Sequence, residues 1–342
     1  MNIFLKLYNL FYIGKILQFI DITMTLKLKD NLSAGGGLQG GVMSNEINGK
    51  ELAKEIKNNI KSKILSIKNT NTAIRKPCLA VVLIGDDPAS KIYVNNKQKA
   101  CNECLIDSVS IIKPADITQS ELEDIVINLN KDRNVDGILV QLPLPNHLDK
   151  DKIINLIDKN KDVDGFCNYN IGDIFNLSDV NSILFESLLP CTPKGCIYSI
   201  LSCFKNKTNT NDKILNGYNV CVVGASNIVG RPVANICISL GATVSVCNSK
   251  TKDLSFYTKN ADILIVAVGK AKLITKEMVK QNAIVIDVGI NRTDNGICGD
   301  VDFESVKNQA SHITPVPGGI GPLTIAFLMQ NTLYSYLKSF IR

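Results

Sequence analysis

From Asn48 onward, apolar and polar positions follow two alternating rhythms. Residues 50–67 repeat apolar side chains at helical spacing and predict an amphipathic helix. The unbroken apolar run 79–84, closed by Gly85-Asp86-Asp87-Pro88, predicts a buried strand feeding a loop. Ser90 is the expected N-cap of the next helix. A strand at 109–113 follows, then a helix opened by Thr118 with Glu121 as its capping-box partner. A strand at 137–142 then leads into Pro143-Leu144-Pro145. Strands alternating with helices predict a parallel sheet with helices on both faces. Pro190-Cys191-Thr192-Pro193-Lys194-Gly195 reads as a separator, and an Asn/Lys/Thr-rich loop follows at 205–213. A second series then begins: a strand at 218–223, a glycine turn at Gly224, and a helix to about Leu240 ended by Gly241. Strands at 242–247, 262–268 and 283–288 complete it. That order and spacing predict a nucleotide-binding α/β unit. A last helix, 323–337, is placed to pack back on the first half.

Chemistry-bearing residues fall at informative points of this pattern. Tyr93 and Lys97 are four apart and share a helix face that continues through Ala100, Cys101 and Cys104. A lysine is thus written into a stripe that should be buried, where desolvation lowers its pKa and makes it a proton-transfer group near neutral pH. The alternative is a lysine that snorkels to solvent. Ligands of parallel sheets bind beyond the carboxyl ends of the strands, and both the start of this helix and Gln141 fall there. In the second half the turn reads Gly224-x-Ser226-x-x-x-Gly230, a departure from G-x-G-x-x-G. Gly224 allows the turn, and the helix N-terminus offers N–H groups to a pyrophosphate. The next strand ends in Cys247-Asn248-Ser249-Lys250-Thr251, with no carboxylate before Asp253. NAD sites place an acid there for the ribose 2′-hydroxyl. Ser249 and Lys250 would instead bind a 2′-phosphate, which favours NADP over NAD; ordinary turn residues are the alternative. Asp162 and Asp164 flank Val163, so an extended segment would turn both carboxylates to one side, able to grip a flat amidine-like group. A solvated turn is the other reading. The segment from Pro315 to Thr324 holds three prolines and three glycines, which would let backbone approach a ligand.

Composition narrows the classes. The 342 residues suffice for two domains, and 45% hydrophobic with 20% charged is a globular balance. A net charge of +6, scattered among loops, gives nucleic-acid binding no support. The 11 cysteines include one CxxC, Cys101 and Cys104, with no second pair, and His147 and His312 lie far away in sequence. Free thiols in a reducing compartment are expected, and no metal. With two histidines the catalytic burden falls on Lys, Tyr, Asp or a bound cofactor. The apolar residues 1–23 are broken by Lys6, Lys15 and Asp21, too soon for a membrane span. With the glycine-rich stretch 33–41 they make 1–43 a tail outside the folded unit. No signal-cleavage site is evident, so the protein is placed in the cytoplasm. A mitochondrion or other organelle, reached through residues 1–43, is the alternative.

Six segments occur together and in a known order. They are Gly85-Asp86-Asp87-Pro88-Ala89-Ser90 with Tyr93 and Lys97; Asp136 to Pro145; Lys161-Asp162-Val163-Asp164-Gly165; Pro190 to Gly195; Gly224 to Pro232; and Pro315 to Thr324. Over about residues 44–340 the chain resembles the bifunctional methylenetetrahydrofolate dehydrogenase/cyclohydrolases, the FolD family. The resemblance implies a multifunctional oxidoreductase and hydrolase of one-carbon metabolism. It would oxidise 5,10-methylenetetrahydrofolate with NADP and open the methenyl product to 10-formyltetrahydrofolate. The alternative is another NADP-linked two-domain dehydrogenase, of shikimate or amino-acid type. The implied fold is α/β: a folate-binding catalytic domain at 44–190 completed by 318–342, and a Rossmann-type NAD(P)-binding domain at 191–317. Lys97 is implied as general acid/base, with Gln141 setting its protonation state. Tyr93 is implied to stack on the folate and Asp164 to anchor the pterin, with Pro317, Gly318 and Gly319 beside it. Gly224, Ala225, Ser226, Ile228, Val229, Gly230, Ser249, Lys250 and Ile290 are implied at the dinucleotide. Partners are tetrahydrofolate derivatives and a second copy in a homodimer. Ala225 stands where some members carry Arg, and Asn248 where many carry His, so NAD stays open as the cofactor. No G-x-x-x-x-G-K-[ST] loop occurs, and no ATP-dependent activity is expected.

Overall fold

The structure, a computed structural model, describes residues 46–70, 74–204, 213–294 and 296–340. The tail 1–43 and most of the 205–213 loop lie outside the described residues. In chain order the elements are α1 (Gly49–Thr70), β1 (Cys78–Ile84), α2 (Pro88–Cys104), β2 (Asp107–Lys113), α3 (Gln119–Lys131), β3 (Gly137–Val140), α4 (Lys150–Leu156), α5 (Asn168–Asp173), α6 (Val180–Phe185) and α7 (Cys191–Ser202). There follow β4 (Asn219–Val223), α8 (Gly230–Ser239), β5 (Thr243–Cys247), α9 (Leu254–Thr258), β6 (Ile263–Val266), β7 (Ile284–Asp287), β8 (Asn291–Thr293), β9 (Gly296–Cys298), α10 (Phe303–Val306), β10 (His312–Ile313) and α11 (Ile320–Ser339).

Two parallel sheets result. The first has the order β2-β1-β3 and the second β10-β7-β6-β4-β5. β1 is buried along its whole length and sends alternate residues to opposite faces. Leu79, Val81 and Leu83 join the large central core, while Ala80, Val82 and Ile84 pack with α3 and α4. β4 does the same, with Val220 and Val222 on the central core and Cys221 and Val223 on a third cluster. The central core runs through both halves, filled by α1, α7 and α11 between the sheets. The first described residues also tie the halves: the Ile47 N–H donates to the Ile313 carbonyl at the edge of the second sheet (2.8 Å).

The alternating α/β fold is as the pattern predicts, and the capping box at Thr118 and Glu121 forms. Four details differ. Ser90 is not the cap of α2: Asp87 is, accepting the Ser90 N–H at 2.7 Å, and Pro88 takes the first turn, where its missing N–H costs nothing. The segment 190–195 is helical from Cys191: α7 begins there with Pro193 still in the first turn. β3 stops at Val140, one residue before Gln141. The second sheet carries a fifth short strand, β10, that the pattern did not predict.

Candidate functional site

α2 brings Lys97 back toward the end of β3. Ala100, Cys101 and Cys104 on its stripe are buried, Lys97 is half-buried, and Tyr93 at the open end is exposed. The Lys97 Nζ donates to Gln141 Oε1 at 2.9 Å. Gln141 is held by its backbone N–H on Val82 and by its Nε2 on the Leu142 carbonyl (2.7 Å), which leaves its oxygen for the lysine. Burial pulls the Lys97 pKa down, opposed by the negative charge of Asp164. Asp164 is pushed up to about 6 by burial, with Lys97 acting against the rise. Lys97, Gln141 and Asp164 are thus one electrostatic group.

Asp162 adds its charge to the rise of Asp164 but its carboxylate is taken up by its own turn, contrary to the extended-segment reading. The chain turns after it, and its carboxylate accepts the N–H groups of Gly165 (3.0 Å) and Cys167 (2.8 Å) and the Asn170 amide (3.0 Å). It is 1% exposed and shapes the turn that presents Asp164. The other side of that turn is held by residues the sequence did not single out as functional. Asn331 on α11 donates to the carbonyls of Val163 (2.8 Å) and Leu189 (3.0 Å), and the Cys191 thiol donates to Val163 (3.3 Å). Lys194, fully buried on α7, donates to Asn331 Oδ1 at 2.7 Å and to the Ser187 carbonyl at 2.6 Å. The stripe argument that found Lys97 also applies to Lys194, which shares its face with Ile197 and Leu201. Pro317, Gly318 and Gly319 stand at the head of α11 against the start of α1. Gly318 has φ +112°, and a Cβ on Gly49 would overlap the Gly319 carbonyl. α11 reaches the Asp164 turn further along, through Asn331.

The second candidate region lies at the carboxyl edge of the second sheet. The strand order makes a topological switch between β4 and β6, where open α/β sheets bind ligands. Gly224 ends β4 with φ +122°, and a Cβ there would overlap the Ala267 carbonyl. A Cβ on Gly230 would overlap Gly224 itself, so the two glycines make a close-packed, bare-backbone cradle. This fits a dinucleotide's phosphates. α8 begins only at Gly230, and Ala225, Ser226, Ile228 and Val229 form the approach to it. The Ser226 hydroxyl accepts the N–H groups of Val229 (3.2 Å) and Gly230 (3.4 Å), capping that approach. Ser249 and Lys250 are exposed just past β5, in a turn closed by the Lys250 N–H on Asn248 Oδ1 at 2.8 Å. Ile290, past β7, is 48% exposed. All 11 cysteines are unpaired, and nine are buried. Among the described residues no three His, Cys, Asp or Glu side chains converge as metal ligands, and no helix is long and apolar enough to cross a membrane.

Known proteins resemble this chain in sequence and in fold. Residues 47–164 match the catalytic domain of tetrahydrofolate dehydrogenase/cyclohydrolase, and residues 190–340 match its NAD(P)-binding domain. The bifunctional protein FolD of Nitratiruptor sp. is 48% identical over 287 residues, 84% of this chain and 96% of its own length. The crystal structure of the Campylobacter jejuni methylenetetrahydrofolate dehydrogenase/cyclohydrolase is 47% identical, with TM-score 0.77 over 84% of this chain and 97% of that one. The Trypanosoma brucei enzyme, solved with NADP and an inhibitor, is 32% identical, with TM-score 0.77 over 89% of this chain and 100% of that one. On both its halves, the chain belongs to the tetrahydrofolate dehydrogenase/cyclohydrolase family.

Proposed function

We infer that the protein oxidises 5,10-methylenetetrahydrofolate to the 5,10-methenyl cation with NADP and hydrolyses that cation to 10-formyltetrahydrofolate. The observation that carries this reading is the half-buried Lys97 amine, 2.9 Å from Gln141 Oε1, in a chain of this family. The exposed Tyr93 ring, one turn earlier, offers a platform for a flat substrate. Asp164 suits the amino-pyrimidinone edge, whose parallel N–H groups one carboxylate can accept. Pro317, Gly318 and Gly319 bring backbone to the folate's other side. A dinucleotide held at the Gly224–Gly230 cradle would supply the hydride acceptor. The methenyl cation disfavours a second positive charge beside it, so Lys97 meets it as a neutral amine. It takes a proton as water adds and returns it to the ring nitrogen that leaves, while the added hydroxyl loses its remaining proton to solvent as the formyl C=O forms. Gln141 holds the amine in place without adding charge.

Residues 44–190 with 318–342 serve the folate, and residues 191–317 serve the dinucleotide through Gly224, Ala225, Ser226, Ile228, Val229, Gly230, Ser249, Lys250 and Ile290. A homodimer is part of the proposal: β5 is a sheet edge, and Val246, Phe256 and Tyr257 beside it are exposed apolar side chains. Sedimentation mass checks it, and a monomer at micromolar concentration would refute it. We place the protein in the cytoplasm; a reporter fused to residues 1–43 that enters an organelle would overturn this.

The central test is an assay of the purified full chain with methylenetetrahydrofolate and either NADP or NAD, following reduced cofactor and methenyl absorbance. Both activities are expected. Lys97→Ala should lower methenyl hydrolysis by about 10²–10⁴-fold while folate still binds. Near-normal hydrolysis in that variant would remove Lys97 from its role.

A further inference from the structure

One buried carboxylate joins the two backbone segments that border the sheet's switch point. Asp300 is fully buried. Its Oδ2 accepts the N–H groups of Val268 (2.7 Å) and Gly269 (2.9 Å), and its Oδ1 accepts those of Lys270 (2.8 Å) and the Asn291 side chain (2.8 Å). Val268 to Lys270 form the loop after β6, directly beyond the Ala267 carbonyl that abuts Gly224. Asn291 follows Ile290 at the end of β7. Three successive backbone N–H groups turned onto one carboxylate leave that loop no freedom to rotate its peptides.

The carboxylate is itself fixed. Asp287, at the end of β7, accepts the N–H groups of Asp300 (3.0 Å) and Gly289 (2.9 Å) on Oδ1 and that of Val301 (2.9 Å) on Oδ2. Gly289 and Gly299 allow this closeness: a Cβ on the first would overlap the Asp300 carboxyl group, and one on the second would overlap that of Asp287. The outward products are two apolar side chains, Val268 and Ile290, 37% and 48% exposed at the ends of adjacent strands. Core packing would bury such residues, whereas here they stand beside the switch point, where open α/β sheets bind their ligands.

We propose that Asp300 is a positioning residue for the dinucleotide, holding the 268–270 loop and Asn291 so that Val268 and Ile290 wall the nicotinamide end of the site. It touches no cofactor atom and acts through the backbone it binds. The inference rests on the reading that the dinucleotide lies at this edge, so its test reads dinucleotide binding apart from turnover.

Asp300→Asn keeps the shape but exchanges one acceptor oxygen for a donor facing backbone N–H groups. Reduced-dinucleotide fluorescence titration of the full-length variant should show affinity ten- to a hundredfold weaker. The Michaelis constant for NADP should rise in parallel. Methenyl hydrolysis, which consumes no dinucleotide, should stay within about twofold of wild type, a pattern that a merely structural lesion would not give. Asn291→Ala, which removes one donor and keeps the carboxylate, should weaken dinucleotide binding several-fold and stands in if Asp300→Asn does not fold. Unchanged dinucleotide affinity in the folded variants, or an equal fall in both activities, overturns the assignment. A wild-type chain that binds the dinucleotide but does not oxidise methylenetetrahydrofolate would instead refute the proposed reaction and leave the binding test of Asp300 standing.

Discussion

Asp164, the proposed folate anchor, would carry a conflict between stability and binding. Burial holds its pKa up at about 6, above the ordinary aspartate value of 3.8. The folded state therefore binds more protons than the unfolded state between those values, and folding stability falls as pH rises through that window. Above it, the protein holds a half-buried carboxylate offset in part by Lys97, whose own pKa burial has lowered. Asp164→Asn removes the titration. In urea unfolding at neutral pH the variant should be more stable by roughly 1–3 kcal/mol, with the difference vanishing toward about pH 4. Folate affinity should fall at least tenfold, because an amide offers one acceptor where the carboxylate offers two. Wild-type folate binding should weaken as pH drops below about 6. A variant no more stable than wild type, with folate bound as tightly, would show that Asp164 faces solvent and not substrate.

At the scale of elements, the turn after β5 is where the proposed choice of cofactor is tested. Lys250 is exposed, and its backbone is fixed by Asn248, so its side chain is free to reach a 2′-phosphate at the cost of its own ordering alone. A charge-assisted hydrogen bond is worth about 1.5–3 kcal/mol, or roughly ten- to a hundredfold in affinity. Ala225, where an arginine would add a second charge, argues for the lower end. Lys250→Ala should raise the Michaelis constant for NADP and leave that for NAD nearly unchanged; equal effects on both would make Lys250 an ordinary turn residue. The sequence made this region legible because strand, glycine and helix announce themselves through hydrophobic period and backbone demand. It hid Asp300 because a carboxylate that binds backbone N–H groups far along the chain leaves no local pattern. Asp287 is hidden for the same reason. Asp87 and Ser90 show the limit at short range: both are good caps, and Pro88 between them settles the choice by fitting only the first turn.

At the scale of the whole molecule, a single core runs through both halves, and α11 is its spine, packed on α1, α2 and α7. Folate-side and dinucleotide-side elements are thus set by one helix. The sequence suggested that this helix returns to the first half, but not how it is locked there, because the lock pairs residues more than a hundred positions apart. The lock is Lys194 on Asn331, and its charge state is linked to folding. Burial brings the Lys194 pKa down to about 7 from the ordinary 10.5. An ammonium presents three donors, and two acceptors are in place, Ser187 and Asn331, which suits the neutral amine. Between those two values the unfolded chain binds more protons than the folded one, so this residue makes stability rise with pH from about 7 toward 10.5. Lys194→Met fills the same space without titrating, and leaves the two acceptors unpaired at every pH. Its loss of stability relative to wild type, read from urea midpoints, should therefore be larger near pH 9 than near pH 6.5 by roughly 2–3 kcal/mol. Parallel stability curves for the two proteins across that range would mean that Lys194 keeps its proton in the core, and that the lock is an ion held by two carbonyl oxygens rather than a neutral amine.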